Sequence, residues 1–213
     1  MNPNYATYNL IRTGLAKISL DLLLPKINEY SYITNHMTPP DTSANAAPAE
    51  ASLEALSPQA LRGALGRFAT GVTLITCRDA DGAPVGLTAN SFTSLSLDPP
   101  LVLWSLRRAS ASLPAFAAAP HFAVNVLAET QVELSRRFAS PQPDKFAEGA
   151  WGQGIGGVPV LAGCAAVFEC AVESQQVAGD HVLFIGRVLR LADLSVAPLL
   201  FQGGHYRMLG EIL

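Results

Sequence analysis

Turn-forming residues divide the apolar part of this chain into short segments, and this division constrains the fold more than any other feature. Residues 72–76 are rich in β-branched side chains and precede a loop at 79–84 that contains Asp, Gly and Pro. Residues 85–97 and 101–106 form two further strand-like segments, separated by an Asp-Pro-Pro turn at 98–100 that we expect to interrupt a ladder. Strands at such short spacing, with turn signals between them, are typical of a β-barrel.

The rest of the chain adds more strands and a few short helices. Strands are predicted at 121–127, 164–176, 181–191 and 198–209, and helices at 57–68, 110–116 and 129–138. Ser57 before Pro58 is typical of a helix start, because serine caps the first turn and proline fits its first position. Residues 140–160 hold many Gly and Pro and are predicted as loop, with one helical turn around 144–146. Strands with interposed helices place the chain in the α+β class.

The composition indicates one globular domain with a large core. Of the 213 residues, 49% are hydrophobic and only 15% are charged. This low charge suggests buried surface beyond the core of one subunit, as in a homodimer, with a well-filled monomer as the alternative. The net charge of −3 gives no support for nucleic-acid binding.

The three cysteines, Cys77, Cys164 and Cys170, show no metal-binding or redox spacing. Each lies in an apolar stretch, which predicts free buried thiols in a reducing cytoplasm. Cys164 and Cys170 are an even number of residues apart on one predicted strand, so we expect them on the same face. No metal site is predicted.

The N-terminal part differs in character from the rest of the chain. The stretch at 10–24 is weakly amphipathic, too short and too polar to span a bilayer, and unlike a signal peptide. We expect residues 1–55 to be a disordered or wrongly assigned extension and residues 56–213 to form the domain. Our hypothesis is that Met37 is the physiological start. The alternative is an amphipathic arm that packs on a partner.

Residues 86–100 carry small hydrogen-bonding side chains where a buried strand would carry bulk. Thr88 and Asn90 fall on one face of this predicted strand, and Ala89 and Ser91 fall on the other. A solvent-facing strand needs only one polar face, whereas here both faces are polar or small. The alternative to a solvated strand is a wall that offers many weak donors to a flat heterocycle.

Two further groups of polar residues suit a ligand. The segment at 105–110 places the Arg107 guanidinium beside the hydroxyls of Ser105 and Ser110, just before a predicted helix. Such an arrangement suits a phosphate, and Arg108 is a less certain member of this phosphate-binding group. A solvated basic turn is the alternative. His181 follows a tight Gly-Asp turn at the start of a strand, where a structural histidine is the alternative to a functional one.

Three of these segments together resemble a known family. They are similar to segments of flavin reductases built on the FMN-binding split barrel. The segments are Phe-Ala-Thr-Gly-Val-Thr at 68–73, Thr-Ala-Asn-Ser at 88–91 and Gly-Asp-His at 179–181. The resemblance covers roughly residues 56–210. It implies a Greek-key-like antiparallel barrel with short flanking helices. It also implies reduction of FMN or FAD by NADH or NADPH, in a homodimer with flavin near the interface, for a separate flavin-dependent monooxygenase.

The resemblance also implies roles for particular residues. The cofactor-binding residues would be Thr88, Ala89, Asn90, Ser91, Ser105, Arg107, Ser110, Asn125, Ser135 and Lys145. The nicotinamide-binding residues would be His181, His205 and Tyr206, with His181 at the reactive face as a positioning group rather than a proton donor. Asn125 lies in an apolar strand and needs a partner, which is either the cofactor or a neighbouring loop. Phe138 and Phe146 are interpreted as core aromatics.

Other nucleotide and hydrolase motifs do not occur in the sequence. There is no P-loop, no Gly-x-Gly-x-x-Gly at a strand–helix junction and no Gly-x-Ser-x-Gly. NAD(P)H is therefore expected to bind over the exposed face of the flavin. Two alternatives stay open: a flavin carrier or sensor without catalysis, and an FMN enzyme of the pyridoxamine-phosphate-oxidase type.

Overall fold

An antiparallel sheet forms the body of the molecule in this computed structural model, which describes residues 56–211. The strands of these residues are β1 (Thr70–Gly71), β2 (Thr73–Arg78), β3 (Pro84–Ala89), β4 (Thr93–Leu97), β5 (Pro100–Arg107), β6 (His121–Val126), β7 (Trp151–Gln153), β8 (Pro159–Leu161), β9 (Ala166–Ala178), β10 (His181–Asp193), β11 (Leu200–Gln202) and β12 (His205–Arg207). The helices are α1 (Pro58–Leu65), α2 (Leu113–Ala118) and α3 (Val132–Ala139). The predicted α+β class is confirmed.

The main sheet has seven strands in the order β3-β2-β6-β9-β10-β5-β4, and every pair in it is antiparallel. Its two edge strands, β3 and β4, are consecutive in the chain and are joined by residues 90–92 alone. Because so short a connection has to reach from one edge to the other, the sheet rolls up. The result is a barrel that is joined at its seam by chain rather than by a continuous ladder.

An aromatic cluster fills the barrel. Along β5, alternate residues point inward, and Trp104 is the largest of them. The Trp104 ring stacks on Phe184 at 4.5 Å between centroids and meets Phe116 and Phe122 edge-on at 5.0 and 5.8 Å. Gly186 leaves room for Phe122, since a Cβ there would lie 2.3 Å from its ring. The opposite face of β5 carries Leu101 and Leu103, followed by Ser105 and Arg107 at the end of the strand.

A second apolar cluster lies outside the barrel and places α3 against it. Phe138 of α3 is buried there with Leu74 of β2, and its ring contacts Phe146 edge-on at 5.0 Å. The interpretation of Phe138 as a core aromatic agrees with this packing. Cys164 belongs to this second cluster and precedes β9, whereas Cys170 belongs to the barrel core.

The three cysteines are free buried thiols, as predicted, and burial raises the pKa of each to about 12. The expectation that Cys164 and Cys170 share a strand face is wrong. The strand begins only at Ala166, so the alternation of faces does not extend to Cys164.

Three boundaries also differ from the predictions. The predicted strand at 85–97 is two strands, β3 and β4, because the chain crosses the barrel seam between them. The Asp-Pro-Pro segment is a tight turn in which Pro100 already pairs with Leu97. The predicted strand at 198–209 is the hairpin β11–β12, with Gly203 and Gly204 as its turn at φ +58° and +84°.

Some other predictions concern residues that the structure does not describe, and others missed the end of a helix or a short hairpin. The extension at 1–55 and the proposed start at Met37 are among the residues outside 56–211. Helix α1 begins as predicted, with the Ser57 hydroxyl accepting from the Ala60 N–H at 3.1 Å, but it ends at Leu65. The hairpin β7–β8 lies within the stretch predicted as loop. Over residues 56–211 no helix is both long and apolar enough to cross a membrane.

Among the described residues Glu169 is the buried carboxylate, with 7% of its surface exposed. It accepts from the Ile155 N–H at 2.6 Å and from the Arg190 guanidinium at 2.7 and 2.6 Å. Burial opposes the charged form, but these hydrogen bonds outweigh it and hold the Glu169 pKa below its usual range. Glu169 therefore ties the segment after β7 to strands β9 and β10.

Acid is expected to remove the stability that Glu169 contributes. Because the folded-state pKa is lowered, this contribution is complete above the unfolded pKa of about 4.3 and is lost as the pH falls through the folded value. Glu169→Gln should lower the free energy of unfolding by about 1.5–3 kcal/mol at pH 7 and flatten its fall in acid. Urea denaturation at a series of pH values measures both effects. Glu173→Gln is the matched control, because Glu173 lies on β9 like Glu169 but forms an exposed pair with Arg187 of β10. Its free energy of unfolding should change less. An unaltered pH profile in Glu169→Gln would contradict the assignment.

Candidate functional site

One cleft of about 640 Å³ opens beside the barrel seam, where β3 ends, β5 ends and β10 begins. Most of the predicted site residues line it: Thr88, Ala89, Asn90, Ser91, Ser105, Arg107, Ser110, Lys145 and His181. The fold brings them together because β5 and β10 pair with Arg107 opposite His181. The seam then brings the end of β3 to the same place.

Strand β3 and the seam form the first wall of the cleft. Among the strands of residues 56–211, β3 pairs with β2 alone, so the N–H and C=O groups along its other edge have no ladder partners there. The Ser91 hydroxyl accepts from the Ser105 N–H at 3.0 Å and donates to the Ser105 carbonyl at 3.1 Å. Ser91 therefore fastens the seam to β5, which is a structural task that the sequence pattern did not predict.

Some of the other small side chains that line the cleft are hydrogen-bonded within the protein, and others are not. Thr88 donates its hydroxyl to the Ser135 carbonyl at 2.6 Å, and the Ser110 hydroxyl accepts from the Ser112 N–H at 3.3 Å. Within residues 56–211 the Asn90 amide and the Ser105 hydroxyl make no hydrogen bond. Asn90 of the seam and Ser105 of β5 are therefore the small polar side chains of the cleft that are most available to a ligand.

Positive charge without a carboxylate partner marks the rim. Arg136 and Arg137 are paired with Glu133 and Glu148, whereas Arg107 has no salt bridge in the part of the chain that the structure describes. Arg108 does not line the cleft. An exposed guanidinium without an internal partner is suited to an external anion.

Lys145 supplies a second cation from the opposite side. Its ammonium donates to the Phe138 carbonyl at 3.1 Å and lies 6.0 Å from the centroid of the Phe138 ring. Partial burial lowers the pKa of Lys145 below its usual range. The packing of α3 thus determines where this cation lies.

His181 is held in one orientation by its neighbour in the turn. His181 Nδ1 lies 2.8 Å from the Asp180 carboxylate, and because a carboxylate only accepts, Nδ1 carries the hydrogen in this bond. The hydrogen bond from His181, with its charge and that of Arg107, lowers the Asp180 pKa below its usual range. Nε2 of His181 is consequently the ring atom left for a ligand.

Ser135, Tyr206 and His205 do not line this cleft. Ser135 is buried behind it, with its hydroxyl 2.9 Å from the Tyr206 hydroxyl. These two residues line a smaller cavity of about 170 Å³, which also touches Thr88 and Asn90. His205 is exposed, with its Nδ1 2.9 Å from the Gly203 carbonyl. The structure thus does not place His205 and Tyr206 in the cleft that His181 lines.

Asn125 is a correction to the predicted site. Its side chain is fully buried and donates to the Leu74 carbonyl at 3.1 Å and to the Thr76 hydroxyl at 3.3 Å. Its amide oxygen accepts from the Leu161 N–H at 2.8 Å. The partners of Asn125 are thus strands β2 and β8 rather than the cofactor or a loop, and Asn125 anchors β8 to the sheet without lining the cleft.

The sequence reasoning missed two short parts of the lining. Ala109, Ala111 and Ser112 form the turn after β5, and Ser140 and Pro141 follow α3. The alternating Ala-Ser pattern at 109–112 was a visible signal, because such small residues allow a ligand close to the backbone. Nothing in the sequence marked residues 140–141.

The cleft can hold a flat, anionic molecule. Its size falls in the range of about 300–1,000 Å³ that small-molecule sites occupy. The unpaired edge of β3 and the Asn90 amide suit the heteroatoms of a ring, while Arg107 and Lys145 suit a phosphate. Among residues 56–211 no cluster of His, Cys, Asp and Glu that could hold a metal ion occurs.

Comparison with known proteins gives consistent results. The family model described as flavin reductase like domain matches residues 65–210. "Probable flavin reductase" of Rhizobium meliloti is 47% identical over 153 residues, which cover 72% of this chain and 49% of that protein. The chain therefore spans about half the length of that relative.

Two further relatives are matched over most of their length. "Flavin-dependent monooxygenase, reductase subunit HsaB" of Rhodococcus jostii is 46% identical over 154 residues, covering 72% of this chain and 78% of that protein. The solved structure of the NADH:FAD oxidoreductase SgcE6 of Streptomyces globisporus superposes with a TM-score of 0.69 at 38% identity. It covers 75% of this chain and 99% of the other.

Proposed function

Because the chain belongs to the flavin reductase-like domain family, we propose that it reduces free flavin, FMN or FAD, with NADH or NADPH. The reduced flavin would serve a separate flavin-dependent monooxygenase, since the relative from Rhodococcus jostii is the reductase subunit of such an enzyme. The observation that carries the proposal is the cleft itself, where a strand edge and two cations without partners in residues 56–211 lie along one opening with His181. The domain responsible would begin near residue 56.

We propose a distinct task for each group of lining residues. Arg107 and Lys145 hold the phosphate of the flavin, because both are cations without a carboxylate partner in residues 56–211. Asn90, Ser105 and the edge of β3 bind the ring, whereas Thr88 and Ser91 keep this wall in shape. Ser135 and Tyr206 act through Thr88 as positioning residues.

Bound flavin supplies an acceptor at N5 for hydride from C4 of the nicotinamide. The protein then has to hold the two rings in contact and keep one face of the flavin open. His181 lies at this opening with its orientation set by Asp180. We assign it to nicotinamide positioning; contact of His205 or Tyr206 with the nicotinamide stays a prediction.

Oxidation of NADH and NADPH, followed at 340 nm with FMN and with FAD, tests the function directly. We expect flavin-dependent loss of absorbance with at least one of the four combinations. No loss with any of them, together with tight flavin binding, would favour the carrier or sensor. Stoichiometric FMN on purification and oxidation of an amine would instead favour the pyridoxamine-phosphate-oxidase type.

His181→Ala is expected to impair use of the nicotinamide and leave flavin binding intact. Loss of a positioning contact of roughly 1–2 kcal/mol would lower kcat/KM for NAD(P)H about 5- to 30-fold. Steady-state kinetics with saturating flavin measure this change, and the flavin dissociation constant of the same variant is the internal control. A variant that loses flavin affinity but keeps its KM for NAD(P)H would show that His181 contacts the flavin instead.

We further propose a homodimer. Within residues 56–211, helix α1 buries none of its residues, and large apolar side chains are exposed after it and at the end of β4, with Phe68 77% and Leu97 93% exposed. Exposed apolar residues on this scale suit a second subunit. Sedimentation equilibrium tests the proposal, and a monomer at micromolar concentration would contradict it.

A further inference from the structure

A second cleft continues the first. It has a volume of about 570 Å³ and lies along the start of β3, the turn before α2 and the segment at 142–147. Ser112 and Lys145 line both clefts, so the two are neighbours that meet at these side chains. A ligand longer than one cleft can therefore pass from the first into the second beside the Lys145 ammonium.

The polar groups of the second cleft differ from those of the first. Lys145 is the cation among its lining residues, and it lies at the junction. Beyond the junction are the Gln142 amide and the Asp144 carboxylate, neither of which has a side-chain hydrogen bond within residues 56–211. A carboxylate repels phosphate but accepts from hydroxyl and amino groups, and Gln142 can donate as well as accept. This chemistry suits a ribose or an adenine rather than a second phosphate.

The apolar groups fit the same kind of ligand. Pro84, Val85, Gly86 and the half-buried Phe146 ring offer an apolar surface beside the polar groups. Phe146 is fixed edge-on against Phe138 at 5.0 Å and Trp151 at 4.8 Å, so its position is set before any ligand arrives. The backbone of Asp144 is also fixed, in the left-handed region at φ 51°, which few residues other than Gly, Asn and Asp adopt readily.

We propose that the second cleft binds the adenosine half of FAD and makes FAD the preferred flavin of this chain. The inference rests on the proposed function, because it places the flavin ring in the first cleft. The pyrophosphate then lies at the junction near Lys145, and the adenosine meets Gln142, Asp144 and Phe146. FMN lacks the adenosine and would leave the second cleft to water.

Isothermal titration calorimetry of the full chain with FAD and with FMN tests the preference. We expect FAD to bind about 10- to 100-fold more tightly than FMN, which corresponds to one or two good hydrogen bonds beyond the shared half. In the double variant Gln142→Ala, Asp144→Asn this ratio should fall towards one while the FMN dissociation constant stays unchanged. Asparagine is chosen at 144 because it tolerates the left-handed backbone.

Asp98→Asn is the matched control, since it removes the same charge in the turn between β4 and β5. This turn precedes Pro100, which is about 23 Å from Arg107 along β5. It should leave both dissociation constants unchanged. Equal affinity for FAD and FMN in the unaltered chain, or an unchanged ratio in the double variant, would overturn the inference and leave the proposed function standing. A double variant that raises only the KM for NAD(P)H would assign the cleft to the adenosine of that substrate and likewise overturn it. Binding of neither flavin would overturn the proposed function itself.

Discussion

Arg107→Ala will weaken flavin binding by about 1.5–3 kcal/mol, or roughly 10- to 150-fold in the dissociation constant. The guanidinium lines the cleft at the end of β5, opposite His181 in the ladder, and has no salt bridge within residues 56–211. Its removal would therefore cost the proposed contact with the flavin, and it leaves no salt-bridge partner behind within residues 56–211. Titration of flavin fluorescence or calorimetry measures the change.

The neighbouring residue supplies an unusually close control. Arg108 has the same charge and is exposed, but its side chain does not line the cleft, and it joins the turn through its backbone N–H to the Asp180 carbonyl at 2.8 Å. Arg108→Ala should therefore change flavin affinity little, whereas a general effect of net charge would weaken binding in both variants alike. Arg107→Lys should recover part of the affinity, because lysine restores the charge but not the planar fork. Equal dissociation constants for Arg107→Ala and the unaltered chain would remove Arg107 from the site.

The fold class followed from local patterns, because turns and the alternation of strand residues depend on neighbours in sequence. Turn residues at 79–84 and 98–100 separate strands whose alternation is visible in the sequence. The residues at 88–91 line the cleft, and their binding of flavin stays a prediction. Polar character, however, did not reveal what each group does. Ser91 is used to fasten the seam to Ser105, and that contact exists only once the sheet has rolled up.

Contacts between distant segments account for the errors. Asn125 is polar in an apolar strand, which indicates a buried partner but not which one; the partners are backbone and hydroxyl groups of β2 and β8. The seam between β3 and β4 interrupts what the sequence presents as one polar strand. Cys164 shares its spacing with Cys170 but lies before the strand begins. In each case the deciding interaction joins residues that are far apart in the chain.

Trp104 connects the stability of the barrel to the site, because it lies on β5 directly before Ser105, which lines the cleft. Its ring is fully buried, stacked on Phe184 and bordered by Phe116 and Phe122. Trp104→Ala should therefore lower the free energy of unfolding by about 3–5 kcal/mol, since it removes a large buried surface and leaves a cavity among rigid rings. Urea denaturation of the unliganded protein measures the loss. Leu191→Ala is the control, because Leu191 is 62% exposed, is not among the residues assigned to the dimer surface, and its truncation should change stability by less than about 1 kcal/mol.

Trp104→Phe distinguishes the contributions of shape and polarity. The indole N–H of Trp104 is buried and has no hydrogen-bond partner in the described part of the chain. A buried donor without a partner costs about 1–3 kcal/mol, so phenylalanine relieves that cost while it loses part of the ring area. We expect Trp104→Phe to be much milder than Trp104→Ala and to keep the stacking on Phe184. A phenylalanine variant as unstable as the alanine variant would show that the indole N–H does have a partner, such as a buried water, in the folded protein.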